Sequence, residues 1–228
     1  MHRDFTYYYN NVPGKGLCRN NLIYTSLVKN NIFCQWYYND KKYHGGHNEV
    51  VDPRLMDEKF DREIKFLKLM GKEYPQHVPV FSIDEKARKV YLEIDGPDMW
   101  ELVGCEGKDY SKVLPDWDKQ MLEIIQAHKD LGLTKYSLHP SSYFIVDGKL
   151  KSINYFFTYD SSDTKMTIRS VLSHISEDRR KELFPKMSAM GIDIDDPTEH
   201  KKLQLLAFDS FRNNYRDDVI DKAKEIYV

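Results

Sequence analysis

The stretch "SLHPSSYFIVDGKLKSINYFF", residues 137–157, decides how the whole chain is read. "YFIV" and "KLKSI" are short runs with β-branched and aromatic residues. Between them stands Asp147-Gly148, a pair that takes positive φ at both positions and closes a two-residue turn. The segment reads as a hairpin at about 143–154. A loop containing His139 and Pro140 precedes it, and the aromatic run Tyr155, Phe156, Phe157 follows.

Upstream, Trp117, Met121, Ile124, Ile125 and His128 fall on one face of a helix that ends near Gly132. "VPVFSID" and "KVYLEID" form an antiparallel strand pair around "EKAR", and "GPDMWELVG" opens a short helix. Before them lies a helix over 53–71. Asp52 is its N-cap, Pro53 its first residue and Gly71 its end. Met56, Phe60, Ile64, Leu67 and Met70 make its apolar stripe, so Phe60 and Ile64 are expected in the core. "DFTYYY", "NLIYTSLV" and "NIFCQWYY" read as strands, the last two joined by "KNN". Downstream of about Thr164 the pattern is helical, with another helix start at Asp196-Pro197. Strands dominate the first part and helices the second, which predicts an α+β fold.

The chain has 228 residues and is 41% hydrophobic, enough for one domain or two joined lobes. Its 36 acids nearly cancel its 34 bases, so nothing draws it to nucleic acid or to a membrane surface. The start "MHRDFTYYYN" lacks a signal-peptide core, and no apolar run nears the ~20 residues of a membrane span. Cys18, Cys34 and Cys105 are odd in number and scattered, as expected in a reducing cytosol. Ala is scarce while Lys, Asn, Ile and Tyr abound, a pattern of AT-rich coding DNA such as a virus or small-genome microbe carries. Most of the 16 tyrosines are expected in the core.

This order of elements, with several strings, resembles the protein-kinase-like fold over roughly 13–157. "DREIKFLKLM" is similar to the family's helix C, with Glu63 as its glutamate. "YPQHVPVFSIDEKARKVYLEIDGPDMWEL" is similar to the next two strands, the hinge near Glu93 and the first large-lobe helix. "QMLEIIQAHKDLGL" is similar to the helix before the catalytic loop. The resemblance implies a strand-rich N-lobe over 1–95 and a reduced helical C-lobe over 96–228. It also implies a nucleotide site near Gln35, Glu63 and Glu93.

In that family the catalytic loop supplies an Asp as base, an Asn five residues on for magnesium, and a second metal-binding Asp in the DFG triplet. Here "SLHPSSYFIV" stands where aminoglycoside- and sugar-type kinases have "DLHPxNxxIV". Ser137 takes the base position, Ser142 the Asn position, and Asn154, Tyr155 and Phe156 the DFG positions. Lys135 and Tyr136 replace the expected His and Gly. Gly14 and Gly16 are followed by Arg19 where a third glycine belongs, and Gln35 is the nearest polar residue to the missing strand lysine.

A general base contributes about 10²–10⁴ in rate, and Ser and Asn are weak metal ligands beside carboxylates. Losing base and metal together takes a kinase of ~1–100 s⁻¹ to near background. The reading is a pseudokinase that binds a protein partner in the cytoplasm, of the host cell if viral. No cofactor is expected, and ATP would be held only without magnesium. Two alternatives stay open. One is a divergent ATP-dependent phosphotransferase that recruits Asp160 or Asp163. The other is a hairpin in an unrelated α+β fold. The loop "YHGGHNEV", with His44, His47, Glu49 and nearby Asp52, is a candidate partner surface or metal site.

Overall fold

A computed structural model of the chain describes residues 24–28, 32–37, 53–94, 98–103, 108–163, 168–169 and 177–228. Gly14, Gly16, Arg19, the "YHGGHNEV" loop, Asp52 and the expected 95/96 boundary lie outside the described residues. The fold is α+β, built on small antiparallel sheets.

Strands β1 (Tyr24–Val28), β2 (Ile32–Trp36), β3 (Phe81–Asp84) and β4 (Lys89–Glu93) form one antiparallel sheet in the order β1-β2-β4-β3. Phe33 stands opposite Leu92 and Gln35 opposite Val90. Side chains on paired positions share a sheet face, so the buried Phe33, Gln35, Val90 and Leu92 all point the same way. Helix α1 (Pro53–Glu73) packs there, contributing Phe60, Phe66, Leu67 and Met70 to the core.

The helix departs from expectation in two ways. It runs past Gly71 to Glu73. Gly71 is not its stop; a Cβ there would lie 2.7 Å from Cε1 of Phe81, so the glycine makes room for the β3 ring. The buried face is also rotated. Ile64 is only half-buried, whereas Lys59, Arg62, Glu63 and Phe66 are buried beside Leu67 and Met70.

Helix α2 (Met99–Val103) follows, then α3 (Trp117–Asp130), in which Trp117, Met121, Ile124, Ile125 and His128 are buried as the stripe predicts. Gly132, at φ +67°, turns the chain into β5 (Leu133–Lys135), which pairs antiparallel with β8 (Thr158–Asp160). Between them lies the hairpin of β6 (Tyr143–Val146) and β7 (Lys149–Ser152). Its turn has φ +50° at Asp147 and +69° at Gly148, as the dipeptide requires. Helices α4 (Glu177–Ala189), α5 (His200–Ser210) and α6 (Asp217–Tyr227) complete the described chain. Asp196 caps the turn before α5, its carboxylate accepting from the Thr198 N–H at 2.8 Å.

The hairpin separates two cores. Phe144 joins the core of the large sheet and α1; Tyr143 and Leu150 join that of α3, α5 and α6. A third cluster packs α4 and α5 under Tyr159. No helix among the described residues is long and apolar enough to cross a membrane. Because Leu67 is fully buried and Ile64 is not, Leu67→Ala should cost about 2–5 kcal/mol and Ile64→Ala clearly less. Urea denaturation of both variants checks this ranking; equal losses would mean the helix face is misassigned.

Candidate functional site

The hairpin returns the chain to the loop that precedes it. Ile153 N–H donates to the Ser142 carbonyl at 2.9 Å, which sets residue 154 beside Ser142. Asn154 then takes the left-handed conformation, φ +64° and ψ +57°. Asn tolerates that region better than most side chains. The turn directs residues Tyr155–Phe157 under α1 and presents the Asn154 amide to the sheet.

Here four of the candidate residues meet. Gln35 Nε2 donates to Asn154 Oδ1 at 2.6 Å, and Asn154 Nδ2 donates to Ser142 Oγ at 2.9 Å. The Ser137 hydroxyl donates to the Asn154 carbonyl. Gln35, Ser137, Ser142 and Asn154, scattered over 120 positions of sequence, thus form one connected polar network. Gln35 and Ser142 are buried. Glu93 does not join them: its side chain is exposed at the end of β4.

Two charges lie beneath the network. Lys135 Nζ donates to Ser137 Oγ at 2.7 Å and to the carbonyls of Ile153 and Asn154, each at 2.8 Å. The Ser137 hydrogen is already committed to Asn154, so all three partners act as acceptors and the amine needs three hydrogens. The geometry therefore requires the ammonium. Burial lowers Lys135 to about 7, against the opposing pull of the Glu63 carboxylate. Glu63 Oε2 accepts from the Phe156 N–H at 2.7 Å. Burial raises Glu63 to about 7, against the Lys135 charge, the Tyr37 hydroxyl and the Phe156 and Tyr155 N–H groups. Arg62 Nε donates to the Phe156 carbonyl at 2.8 Å. Adjacent residues of α1 thereby hold both backbone groups of residue 156.

The expected rescue acids stand elsewhere. Asp160 pairs across from Leu133, at the far end of the β5–β8 ladder from Lys135 and Thr158. Burial raises its carboxyl, but two hydrogen bonds from Ser162 and the charge of Lys65 hold it below the usual range. Asp163 follows that turn, its N–H donating to the Asp160 carbonyl at 3.0 Å. His139 shapes its loop: Nδ1 accepts from the Ser141 N–H at 3.1 Å, and the ring packs 4.7 Å from Trp100. Among the described residues no three His, Cys, Asp or Glu side chains gather to hold a metal ion.

Three cations escaped the sequence reading as parts of this region. Lys135 was legible only as a residue out of pattern. Lys59 and Arg62 are buried with Glu63 on α1, and the spacing 59, 63, 66, 70 carried that signal. Burial and the neighbouring Arg62 charge lower Lys59 to about 7. No protein-family model matches the sequence, and no curated protein matches it.

Removing the Glu63 charge leaves Lys135 buried without its counter-ion, so Glu63→Ala should cost about 3–5 kcal/mol in denaturant unfolding. A loss under ~1 kcal/mol would show that the pair is neutral. Lys59 sets a pH dependence. Its folded value is lowered to about 7 against an ordinary 10.5. Between those limits the unfolded chain binds more protons, so stability lost on acidification is regained as pH rises from about 7 to 10.5. Lys59→Met should flatten that part of the stability–pH curve; an unchanged slope would contradict the assignment.

Proposed function

We propose that the chain is a catalytically silent, kinase-like scaffold. On this reading a strand-rich lobe over 1–95 and a helical lobe over 96–228 flank the Gln35–Asn154 contact. Its task is to bind a protein partner, in the cytoplasm of the cell that makes it or of a host. The single observation that carries the reading is the connected network of the neutral side chains Gln35, Asn154, Ser142 and Ser137. The positions at which the resemblance calls for a base and two metal ligands carry hydroxyls and an amide. Each meets a protein partner rather than facing an empty cleft.

Chemistry supports the same conclusion. A neutral Ser137 hydroxyl that already donates to a carbonyl is not a proton acceptor for a substrate. Magnesium bridging to phosphate requires carboxylates, which Ser142 and Asn154 do not supply. Glu63 is fully buried, with Oε2 accepting from the Phe156 N–H. Asp160 is two residues along β8 from Thr158, about 7 Å at strand rise, and tied to Ser162. Among the described residues the phosphotransferase alternative thus lacks an acid in place. The near balance of charges gives no support to a nucleic-acid or membrane partner.

The test is isothermal titration with ATP, with and without magnesium, and a radiolabel transfer assay on wild type, Ser137→Ala and Asp160→Asn. Magnesium should not tighten ATP binding, and Ser137→Ala should leave any trace transfer unchanged. Micromolar, magnesium-dependent binding with turnover that Asp160→Asn abolishes would establish the phosphotransferase instead.

A further inference from the structure

The buried face of α1 carries two cations with unused donors. Lys59 is 0% exposed and Arg62 7%. They are three residues apart, on one side of the helix. Lys59 Nζ has no hydrogen-bond partner among the described residues, and neither has Arg62 Nη2. Lys59 Nζ lies 4.6 Å from the Phe157 ring centre and 5.7 Å from that of Phe156. Arg62 lies over the Tyr159 ring at 5.1 Å and spends Nε on the Phe156 carbonyl. Its nearest carboxylate, Glu58, is 3.8 Å from Nη1, on a mostly exposed side chain, and leaves Nη2 unpaired. Glu63 Oε2 is engaged by the Phe156 N–H, and its Oε1 has no hydrogen-bond partner among the described residues, so it reaches neither cation.

Two like charges enclosed together, each with an unmade hydrogen bond, are costly unless an anion joins them. An ammonium is a compact point charge, and a guanidinium edge matches the oxygens of a tetrahedral oxyanion. We infer that the Lys59–Arg62 face of α1 is a binding site for one phosphate group, covered by the half-buried Phe157 ring. The anion would accept from Lys59 Nζ and Arg62 Nη2, and rotation of Phe157 admits it. Burial and then the Arg62 charge lower the proton affinity of Lys59, and an anion held between the two cations would raise it again. The inference rests on α1 and residues 156–159 alone, and it stands or falls separately from the silent-cleft reading.

The experiment uses the full chain at pH 7 and constant ionic strength. Thermal unfolding and isothermal titration are followed with inorganic phosphate, with phenyl phosphate, and with chloride as the control. Phosphate that binds the folded state alone raises the melting temperature by mass action. Wild type should respond to phosphate and not to chloride. A response to inorganic phosphate assigns a free anion; one confined to phenyl phosphate assigns an ester whose ring meets Phe157. Lys59→Met removes an unpaired buried charge, so it should fold at least as well as wild type without phosphate. It should bind phosphate about 10-fold or more weakly, the scale expected for losing a charge-assisted hydrogen bond. Phe157→Ala should keep or strengthen the response. Absence of a wild-type response to either probe overturns the inference, as does an equal response in Lys59→Met.

Discussion

Glu63 and Lys135 are buried to 0% and 1% exposure, and the requirement to satisfy both charges organises the centre of the molecule. Neither is offset by the other alone. Glu63 reaches the N–H of residue 156, and Lys135 the carbonyls of residues 153 and 154. The segment from Ile153 to Phe156 is thus gripped from α1 on one side and from β5 on the other. A buried charge needs such backbone partners, because Coulomb attraction alone seldom offsets its desolvation. The elements that hold those partners cannot drift without exposing an uncompensated charge.

Asn154 is the junction that makes this possible. Its left-handed backbone turns the chain off β7 so that the 153 and 154 carbonyls converge on one ammonium. Its side chain then offers one acceptor to Gln35 and one donor to Ser142. A carboxylate at 154 could keep the second contact only if the Ser142 hydroxyl turned to donate. The neutral amide suits a nearly closed site, where a network is stabilising only when its members are satisfied. Through that side chain the strand that carries Gln35 is joined to the loop that carries Ser142.

Among the described residues the aromatic side chains serve packing, and some tyrosine hydroxyls tie segments together. Tyr215 donates to the Leu138 carbonyl at 2.6 Å and Tyr227 to that of Leu133 at 2.7 Å. Tyr110 packs edge-on to Trp117 and donates to the Asn214 carbonyl. These contacts tie α6 and the turn before it to the strand and loop on either side of Lys135. The helical part is therefore fastened to the same segment that the two charges hold from the other side.

Sequence alone determined the local elements. Asp147-Gly148 has a backbone preference that only a tight turn uses, and the 117–128 stripe has a period that only a helix buries. The strand pair around "EKAR" and the capped turn at Asp196 follow from equally short-range chemistry. Its limits are equally physical. Gly71 reads as a helix stop until the Phe81 ring, ten residues on, is seen to need its space. The α1 stripe reads as Phe60 and Ile64 because apolarity was the criterion. The helix turns a face bearing Lys59, Arg62 and Glu63 inward, where the backbone of residue 156 meets Arg62 and Glu63 and the rings of residues 156 and 157 meet Lys59. Gln35, Ser137, Ser142 and Asn154 were marked as candidates by position in a resemblance. Only the tertiary structure brought them into one network, because hydrogen bonds between residues 119 positions apart leave no period or spacing in the chain. Glu93 was marked by the same reasoning and left outside, because the end of its strand faces solvent.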